Sequence, residues 1–286
     1  MEKYIFNFKY PSKFPAITVD NLMRQLLIPR KWRHFLRTEK KILINQKYLP
    51  LNFQVNPGDE VKIILNQIET HQHPYPPSGK LPDIIYEDKN ILVINKPTGQ
   101  KTHPNLNETN TALNDCATYL HSSPYIVHRL DMLTHGLLLV AKNPAVVPIL
   151  NRQLTDKTLN REYLAWVNNN QLQKKSGIIN APIGQDPKDQ RKRMIRPDGL
   201  NAITHYQVIQ TYANKSQLAI QLETGRTHQI RVHLASIGCP IIGDPLYNPD
   251  YQNGEPLALE AYRLTFQEPF SFKKITVTLK NNIHKF

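Results

Sequence analysis

The segment HRLDMLTHGLLLVAK, residues 128–142, places an acid between two apolar stretches and ends in the run LLLVAK. Residues 125–130 and 136–142 are predicted strands, so Asp131 should lie on the turn that joins them. A carboxylate beside so much hydrophobic sequence is costly unless it is paired or used in chemistry. Asp131 is therefore the first candidate for a functional residue.

On either side of this segment the sequence predicts many short strands. They fall within residues 83–97 and at 161–167, 203–210 and 217–223. Many of them alternate polar and apolar residues, as half-buried antiparallel strands do. Beyond the first 82 residues, helical periodicity occurs at 109–121, 144–156 and 227–237. Many strands and few helices predict an α+β fold built on an extended, largely antiparallel sheet.

The domain organisation follows from a proline-rich stretch. Residues 68–82 contain four prolines and show no apolar periodicity. Proline fixes φ and removes an amide donor, so this stretch is predicted to be a linker. It would separate an N-terminal module, residues 1–67, from a larger domain, residues 83–286.

The N-terminal module has its own pattern. Residues 21–36 are mildly helical and strongly basic, and a short strand with a turn follows at 41–48. The turn signal NPGD then opens a last strand near residue 60. Over residues 20–65 this pattern resembles the small alpha-L RNA-binding module shared by a ribosomal protein and several RNA-modifying enzymes. The resemblance implies that the basic residues Arg30, Lys31 and Arg33 contact RNA.

Charge points to the same kind of partner. The chain of 286 residues has a formal net charge of +13 and an isoelectric point near 9.6. Residues 1–65 hold 12 Lys and Arg against 5 Asp and Glu, more than half of the excess in under a quarter of the chain. Each phosphate that a cation neutralises releases counterions and adds affinity, so a polyanion such as RNA is the expected partner.

Several other classes of protein are disfavoured. No apolar run is long enough for a membrane helix, and the N-terminus lacks the pattern of a signal peptide. The two cysteines, Cys116 and Cys239, lie far apart without other ligands, so we expect a cytoplasmic protein without a disulfide framework or a metal site. No two of the 11 glycines are two residues apart, which excludes the Gly-x-Gly-x-x-Gly nucleotide motif. We expect a monomer that needs no cofactor.

A second motif lies in LETGRTHQIRVHLA, residues 222–235. Thr227 is predicted to cap the helix that follows, which would hold Arg226 at a strand-to-helix junction. Arg226 and Asp131 would then form a partly buried pair that keeps the acid ionised. The residues alone leave a structural salt bridge and a catalytic site equally open. Tyr163, in the predicted strand 161–167, is by the same standard either a core residue or a site residue.

These motifs occur together in one known family. HRLD followed by Thr-x-Gly-Leu-Leu-Leu, with GRTHQIRxHL downstream, closely resembles the RluA/RluD-type RNA pseudouridine synthases. The shorter motifs NKPxG, APIG, AITHY and IGDPLY fit the same family in the same order, over about residues 83–267. The resemblance implies the pseudouridine synthase fold, with a central mixed sheet, and an isomerase that acts on uridines of structured RNA. Ribosomal RNA is the first expectation and transfer RNA the second.

The resemblance also implies roles for individual residues. Asp131 matches the essential aspartate, which attacks or deprotonates the ribose while the uracil is detached, turned and rejoined through carbon. Tyr163 matches the tyrosine that packs on the uracil, and Arg226 the arginine that pairs with the aspartate. Arg129 matches the side chain that fills the stack after the target base has flipped out.

Some features depart from the family pattern or remain open. His135 stands where the family commonly has serine, Asn248 where glycine is usual and Glu260 where histidine is frequent, which leaves the identity of the RNA open. The loop 188–196 holds five cations among nine residues, either as a solvated loop or as a phosphate contact through Arg191, Lys192 and Arg193. The main rival to an enzyme is a non-catalytic RNA-binding or ribosome-assembly protein. A glycosidase would need two cooperating carboxylates. Because only Asp131 lies in a compelling context, the sequence disfavours this class of enzyme.

Overall fold

The computed structural model of the protein describes residues 3–66, 68, 70–105, 108–168, 172 and 174–280. The helices are α1 Val19–Gln25, α2 Arg30–Thr38, α3 Ala112–Leu120, α4 Val147–Thr155 and α5 Gln229–Ser236. The strands are β1 Lys3–Lys9, β2 Ile17–Thr18, β3 Ile42–Ile44, β4 Gln54–Val55, β5 Glu60–Asn66, β6 Ile84–Glu87, β7 Ile91–Lys96, β8 Tyr125–Ile126, β9 His135–Ala141, β10 Asn160–Asn168, β11 Ser176–Asn180, β12 Ile183–Gln185, β13 Arg193–Ile195, β14 Ile203–Tyr212, β15 Lys215–Leu222, β16 Leu259–Gln267 and β17 Lys274–Thr278. Within the described ranges, no helix has the length and apolar character needed to cross a bilayer. The α+β class is confirmed.

One large mixed sheet forms the centre of the molecule. Its strand order is β11-β14-β15-β10-β16-β9-β7-β6, with β17 beside β16 and β8 beside β9. Every pairing in it is antiparallel except that of β9 with β16. The predicted extended, largely antiparallel mixed sheet is therefore confirmed.

The apolar run in β9 is continuous because both faces of this strand are covered. Leu137 and Leu139 belong to one hydrophobic core, whereas Leu138 and Val140 belong to a second core on the opposite face. Side chains alternate across a strand, so a strand buried on both faces must be apolar at every position. This explains why the sequence here lacks the polar and apolar alternation of its neighbours.

The parallel pairing of β9 with β16 joins the two antiparallel halves of the sheet. It aligns His135 with Glu260 and Gly136 with Ala261. Gly136 has φ +113, and a Cβ there would lie 2.4 Å from the Ala261 carbonyl oxygen. Only glycine allows this approach. Two of the three departures from the family pattern also meet here, since His135 Nε2 lies 3.4 Å from Glu260 Oε1.

The N-terminal module contains two helices where the sequence predicted one. The predicted helix at 21–36 is divided into α1 and α2, and Leu27, between them, has a positive φ of 57. Thr18 caps α1 by accepting a hydrogen bond from Asn21 N at 3.2 Å, and Pro29 directly precedes α2. Beside these helices, β1, β5 and β3 form a small antiparallel sheet.

The module packs directly on the larger domain. Phe6 of β1 stacks on Phe270, in the turn between β16 and β17, with ring centroids 3.7 Å apart. Tyr10 and Phe14 contact Phe272 edge-on, at 5.6 and 5.3 Å between centroids. One hydrophobic core thus includes residues from both parts of the chain. The domain boundaries remain a prediction, and the two parts share a buried interface.

The proline-rich segment is held against α3 rather than free of it. Gln72 Nε2 donates to Pro124 O at 2.7 Å, and Ser78 N donates to Thr118 Oγ1 at 2.9 Å. Asn114, inside α3, donates to Pro76 O at 2.7 Å. These bonds satisfy backbone groups that a strand or helix would otherwise pair. Residues 67 and 69 lie outside the described part of the chain.

Most of the predicted elements are present. The helices at 109–121, 144–156 and 227–237 are confirmed as α3, α4 and α5, each shorter at its ends. The predicted strand at 125–130 is wrong beyond Ile126, because residues 127–134 form the loop that carries Asp131. The sequence analysis gave no strand for β16 or β17, although β16 is the link between the two halves of the sheet.

The shared core can be tested with Phe6→Ala. This substitution removes a buried ring, 8% exposed, from the interface, and should lower the free energy of unfolding by about 3–5 kcal/mol. Urea denaturation followed by circular dichroism measures the loss. Phe53→Ala removes a ring that is 51% exposed in the same module and is the matched control. If the two variants were equally stable, the module would not depend on this contact.

Candidate active site

A cleft of about 600 Å³ opens beside the junction between the two halves of the sheet. The loop before β9, strand β10 and the segment between β15 and α5 form its walls. The charged and aromatic residues that line it are Arg129, Asp131, Lys157, Arg161, Tyr163, Glu223, Arg226, His228 and Arg231. All four residues that the sequence analysis selected on family resemblance line the cleft, namely Arg129, Asp131, Tyr163 and Arg226.

Asp131 is fixed by the loop that carries it. Thr102 Oγ1 donates to Leu130 O at 2.8 Å and accepts from Leu130 N at 3.0 Å, so one hydroxyl braces the preceding residue. Thr134 N donates to Asp131 O at 3.1 Å and closes the turn. The side chain of Asp131 is 20% exposed and faces the cleft. A rigid backbone therefore presents a partly solvated carboxylate.

A buried ammonium supports the same loop from behind. Lys96, at the end of β7, is 0% exposed, and its Nζ donates to Pro97 O and Gln100 O at 2.8 Å and to Met132 O at 3.2 Å. Burial lowers the pKa of Lys96 to about 8, and the negative charge of Asp131 acts in the opposite direction. Lys96 thus ties the 97–100 turn to the residue that follows Asp131.

Tyr163 lies on β10, opposite Ile220 of β15 and Ala261 of β16. It is 5% exposed, within the core on one face of the sheet, and its edge lines the cleft. Burial raises the pKa of Tyr163, and the charge of Asp131 raises it further. At neutral pH the phenol is therefore protonated. The structure gives Tyr163 both of the roles that the sequence left open, in the core and at the site.

His228 is a site residue that the sequence analysis missed. It has φ +59 at the N-cap of α5, where Thr227 had been predicted, and its Nε2 lies 4.0 Å from Asp131 Oδ2. Its Nδ1 shares a hydrogen bond of 2.9 Å with the Tyr247 hydroxyl. Burial lowers the pKa of His228, so the imidazole is neutral at pH 7.

The expected ion pair between Asp131 and Arg226 is not formed. Arg226 is exposed, and its Nε donates to Asn201 O at 3.0 Å. Gln229 explains why the Arg226 side chain points toward Asn201. Its Oε1 accepts hydrogen bonds from Arg226 N at 3.0 Å and from Thr224 Oγ1 at 2.8 Å, and these bonds fix the turn that carries Arg226. Arg226 lines the cleft without touching the carboxylate, and the predicted pairing is wrong in this structure.

The buried cation near Asp131 is Arg231. It is 2% exposed and forms two hydrogen bonds with Asp244, at 2.8 and 2.7 Å. Asp244 also accepts hydrogen bonds from the backbone amides of Leu246 and Tyr247, so the buried carboxylate is fully hydrogen-bonded within the protein. Although the partner of Arg231 is Asp244, the charge of Asp131 also raises the pKa of Arg231. Breaking such a buried pair is more costly than its net contribution to stability.

The predicted RNA-binding residues lie on separate parts of the surface. Arg129 is exposed at the cleft, and Arg30 and Lys31 are exposed on α2. Arg33 pairs with Asp20 at 3.2 Å. In the loop before β13, Arg191 pairs with Asp189 at 2.8 Å. Two further cations complete this set, the partly buried Lys192 and Arg193.

Arg193 connects the basic loop to the active site. Its backbone N donates to the Tyr247 hydroxyl at 2.8 Å, the same hydroxyl that bonds to His228. Its Nη1 donates to Gln190 O and Lys192 O, at 3.1 and 2.9 Å.

Among the described residues, no group of three or more His, Cys, Asp or Glu side chains is placed to hold a metal ion. The groups that line the site include two carboxylates, Asp131 and Glu223, together with a phenol, a neutral imidazole and several cations.

Comparison with known proteins identifies the family. Residues 90–236 match the model of the RNA pseudouridylate synthase family, and residues 6–61 match the RluD ribosomal pseudouridine synthase N-terminal domain. The chain belongs to the RNA pseudouridylate synthase family, and the matched region contains every site residue described above from Lys96 to Arg231. It is therefore an RNA pseudouridine synthase, an isomerase, as the sequence predicted.

Individual relatives agree with this assignment. An uncharacterised RNA pseudouridine synthase of Bacillus subtilis, YlyB, is 38% identical over 242 residues, which cover 80% of this chain and 78% of that protein. Ribosomal large subunit pseudouridine synthase D of Nitrosomonas europaea is 36% identical over 281 residues, 91% of this chain and 80% of that protein. The solved structure of human RNA pseudouridylate synthase domain containing 1 superposes with a TM-score of 0.61 at 24% identity, covering 72% of this chain and 86% of that one. This last match shows the fold.

Lys96→Met tests the buried ammonium through the pH dependence of stability. Burial lowers the pKa of Lys96 from 10.5 to about 8, so between these values the unfolded chain binds more protons than the folded chain. The free energy of unfolding of the wild type, relative to that of Lys96→Met, should therefore rise with pH across this window, by up to about 1.4 kcal/mol per pH unit. Below pH 8 the difference should be constant. Urea titrations at half-unit steps measure it, and a constant difference up to pH 10.5 would contradict the lowered pKa.

Proposed function

We propose that this enzyme converts uridines of ribosomal RNA to pseudouridine, and that Asp131 is its catalytic carboxylate. The observation that carries the proposal is the position of Asp131 in the cationic cleft. Two carboxylates line the cleft in the described part of the chain. Glu223 is held by Lys157 at 2.5 Å and by His205 at 2.7 Å. Among the described basic side chains, that of His228, at 4.0 Å, is the one within ion-pair distance of Asp131, so the carboxylate is free to act on a substrate.

The reaction needs an anionic group at the ribose and an enclosed base. The bond from C1′ to N1 breaks, the uracil turns, and a bond from C1′ to C5 forms. The proton on C5 then leaves and N1 gains a proton, so the product is an isomer of the substrate. Asp131 would either attack C1′ or remove a proton from the ribose, and both routes need its ionised form. An enclosed pocket keeps the detached uracil from escaping.

The neighbours of Asp131 suit this chemistry. Tyr163 supplies a protonated phenol and a flat, buried face on which a uracil can pack. Arg231 supplies a buried positive charge close enough for the charge of Asp131 to raise the pKa of its guanidinium. Arg226 remains a predicted catalytic residue on family resemblance, and its position in the cleft is compatible with a shift toward the substrate when RNA binds. Its Nε donates to Asn201 O at 3.0 Å, a bond that such a shift would break.

RNA would be held by cations on both parts of the chain. Arg129, at the rim of the cleft, is exposed and is placed to fill the stack that a flipped uridine leaves. Arg30 and Lys31 on α2 and the loop with Arg191, Lys192 and Arg193 would contact phosphates. The relatives named for the large ribosomal subunit support ribosomal RNA over transfer RNA. A monomeric enzyme in the cytoplasm is the form that we propose.

Asp131→Asn should abolish turnover and leave RNA affinity within about threefold, because the swap is nearly isosteric and phosphate contacts dominate binding. The substrate is an in vitro transcript of large-subunit ribosomal RNA labelled with tritium at C5 of uridine, since isomerisation releases this hydrogen. Glu223→Gln is the matched control, as it neutralises the other carboxylate of the cleft and should retain turnover.

Thermal melting must first show that Asp131→Asn is folded at the assay temperature. Tritium release by a folded Asp131→Asn protein at the wild-type rate would disprove the role of Asp131. If the wild-type protein released no tritium from this transcript but did so from transfer RNA, the choice of ribosomal RNA would be wrong and the chemistry would stand.

The role of the module is tested by neutralising Arg30 and Lys31 together, as Arg30→Gln with Lys31→Gln. Both side chains are exposed, and neither forms an ion pair with another residue that the structure describes, so folding should be unaffected. If both contact phosphates, the slope of log affinity against log salt should fall in magnitude by roughly 1.5–2. Lys273→Gln with Lys274→Gln, two exposed cations beside β17, is the control. An equal or smaller change than in this control would mean that α2 does not bind RNA. Point changes are preferable to deletion of the module, which would expose the core it shares with the larger domain.

A further inference from the structure

Arg161 is a cation of the cleft to which neither the sequence nor the family resemblance gave a role. It lies on β10 two residues before Tyr163, and side chains two apart on a strand share one face. Both residues line the cleft. The guanidinium of Arg161 lies against Gly225, where a Cβ would be 3.2 Å from Nη2 and 3.3 Å from Nη1. Arg161 also lies close enough to affect two neighbouring groups. Burial raises the pKa of Tyr163, and the charge of Arg161 opposes this rise. Burial lowers the pKa of His128, and the charge of Arg161 lowers it further.

The other inward cations of the cleft already have acceptors in the protein. Lys157 is bound to Glu223 at 2.5 Å and Arg231 to Asp244 at 2.7 Å. Arg226 donates to Asn201 O. In the described part of the chain, the guanidinium of Arg161 has no carboxylate within 4.0 Å and donates no hydrogen bond. It is nevertheless only partly exposed.

A guanidinium that lines a cleft without an acceptor from the protein keeps its N–H donors available to a ligand. Guanidinium presents a rigid fork of donors that suits the two oxygens of a phosphodiester. A neutral base carbonyl would use one donor and leave the charge uncompensated. The glycine at position 225 matters here, because any larger residue would press on the guanidinium and narrow that side of the cleft.

We propose that Arg161 binds a phosphodiester directly next to the target uridine and thereby positions the ribose over Asp131. This inference rests on the proposed function and adds a substrate contact to it. Arg129, in contrast, is exposed at the rim, where a phosphate contact would be weaker and less directional. Because Arg161 is held by a central strand, its phosphate would be fixed in the same frame as Tyr163, on the same face of β10.

The test is a double-mutant cycle. It removes the Arg161 guanidinium and the negative charge of one phosphate of the RNA, first separately and then together. The RNA is a short synthetic stem–loop containing a uridine that the wild type converts, found by mapping the products in large-subunit ribosomal RNA. Two modified versions carry one uncharged methylphosphonate, either on the 5′ or on the 3′ side of that uridine. Single-turnover rates are measured at saturating RNA for the wild type, Arg161→Ala and the control Lys157→Ala.

For one of the two positions, we expect the methylphosphonate to slow the wild type by about tenfold or more. Arg161→Ala should be slowed by a similar factor on natural RNA and should lose less than a further twofold on the modified RNA. Lys157→Ala should keep the sensitivity of the wild type, because Lys157 is already paired with Glu223. The position that shows the effect identifies the phosphate.

Two results would overturn the proposal. One is an Arg161→Ala enzyme that is as sensitive as the wild type to the methylphosphonate at both positions. The other is an Arg161→Ala enzyme with the wild-type rate on natural RNA. Arg161→Gln, which removes the charge but keeps much of the stem, replaces Arg161→Ala if melting shows the latter to be unfolded, and the same criteria then apply to it. Failure of the proposed function would show itself separately, as a lack of conversion by the wild type.

Discussion

The close crossing of β9 and β16 at Gly136 is the constraint on which the rest of the structure depends. It is the parallel step in an otherwise antiparallel sheet, and it brings the strand that follows Asp131 next to the strand that neighbours Tyr163. A side chain at residue 136 would collide with the Ala261 backbone at 2.4 Å. The cleft lies where the two halves of the sheet meet, so the separation of the carboxylate and the phenol is set by this contact.

Electrostatics then separates the groups of the cleft into those that are neutral, those that are paired and those that are free to meet RNA. Burial keeps His228 and Tyr163 uncharged at neutral pH. The buried charge of Arg231 is compensated by Asp244. Asp131 remains a carboxylate among cations, and in the described part of the chain Arg161 and Arg129 form no ion pair with a carboxylate. We propose that the RNA backbone supplies the missing negative charge and that the ribose meets Asp131.

Sequence alone predicted the class of fold, most of the elements and four of the residues that line the cleft, because short motifs keep their local backbone. It missed features that depend on contacts between distant residues. The partner of Arg226 is decided by Gln229, and the role of His228 by the left-handed backbone at the start of α5. His135 and Glu260 looked like separate departures from the family pattern, yet they face each other across the crossing. Phe6 and Phe270 are likewise 264 residues apart in the chain.

The measurement that tests this account most directly is the single-turnover rate of Gly136→Ala at saturating RNA. A Cβ at residue 136 must push β9 and β16 apart, so a folded variant should convert uridine at least about 100-fold more slowly, because small misplacements of catalytic groups are costly. RNA affinity should stay within about threefold. Gly58→Ala, with φ +89 and nothing within 4 Å of the added Cβ, has the same backbone strain without the collision and should keep the wild-type rate. A folded Gly136→Ala enzyme that is as fast as Gly58→Ala would contradict the claim that this crossing sets the geometry of the active site.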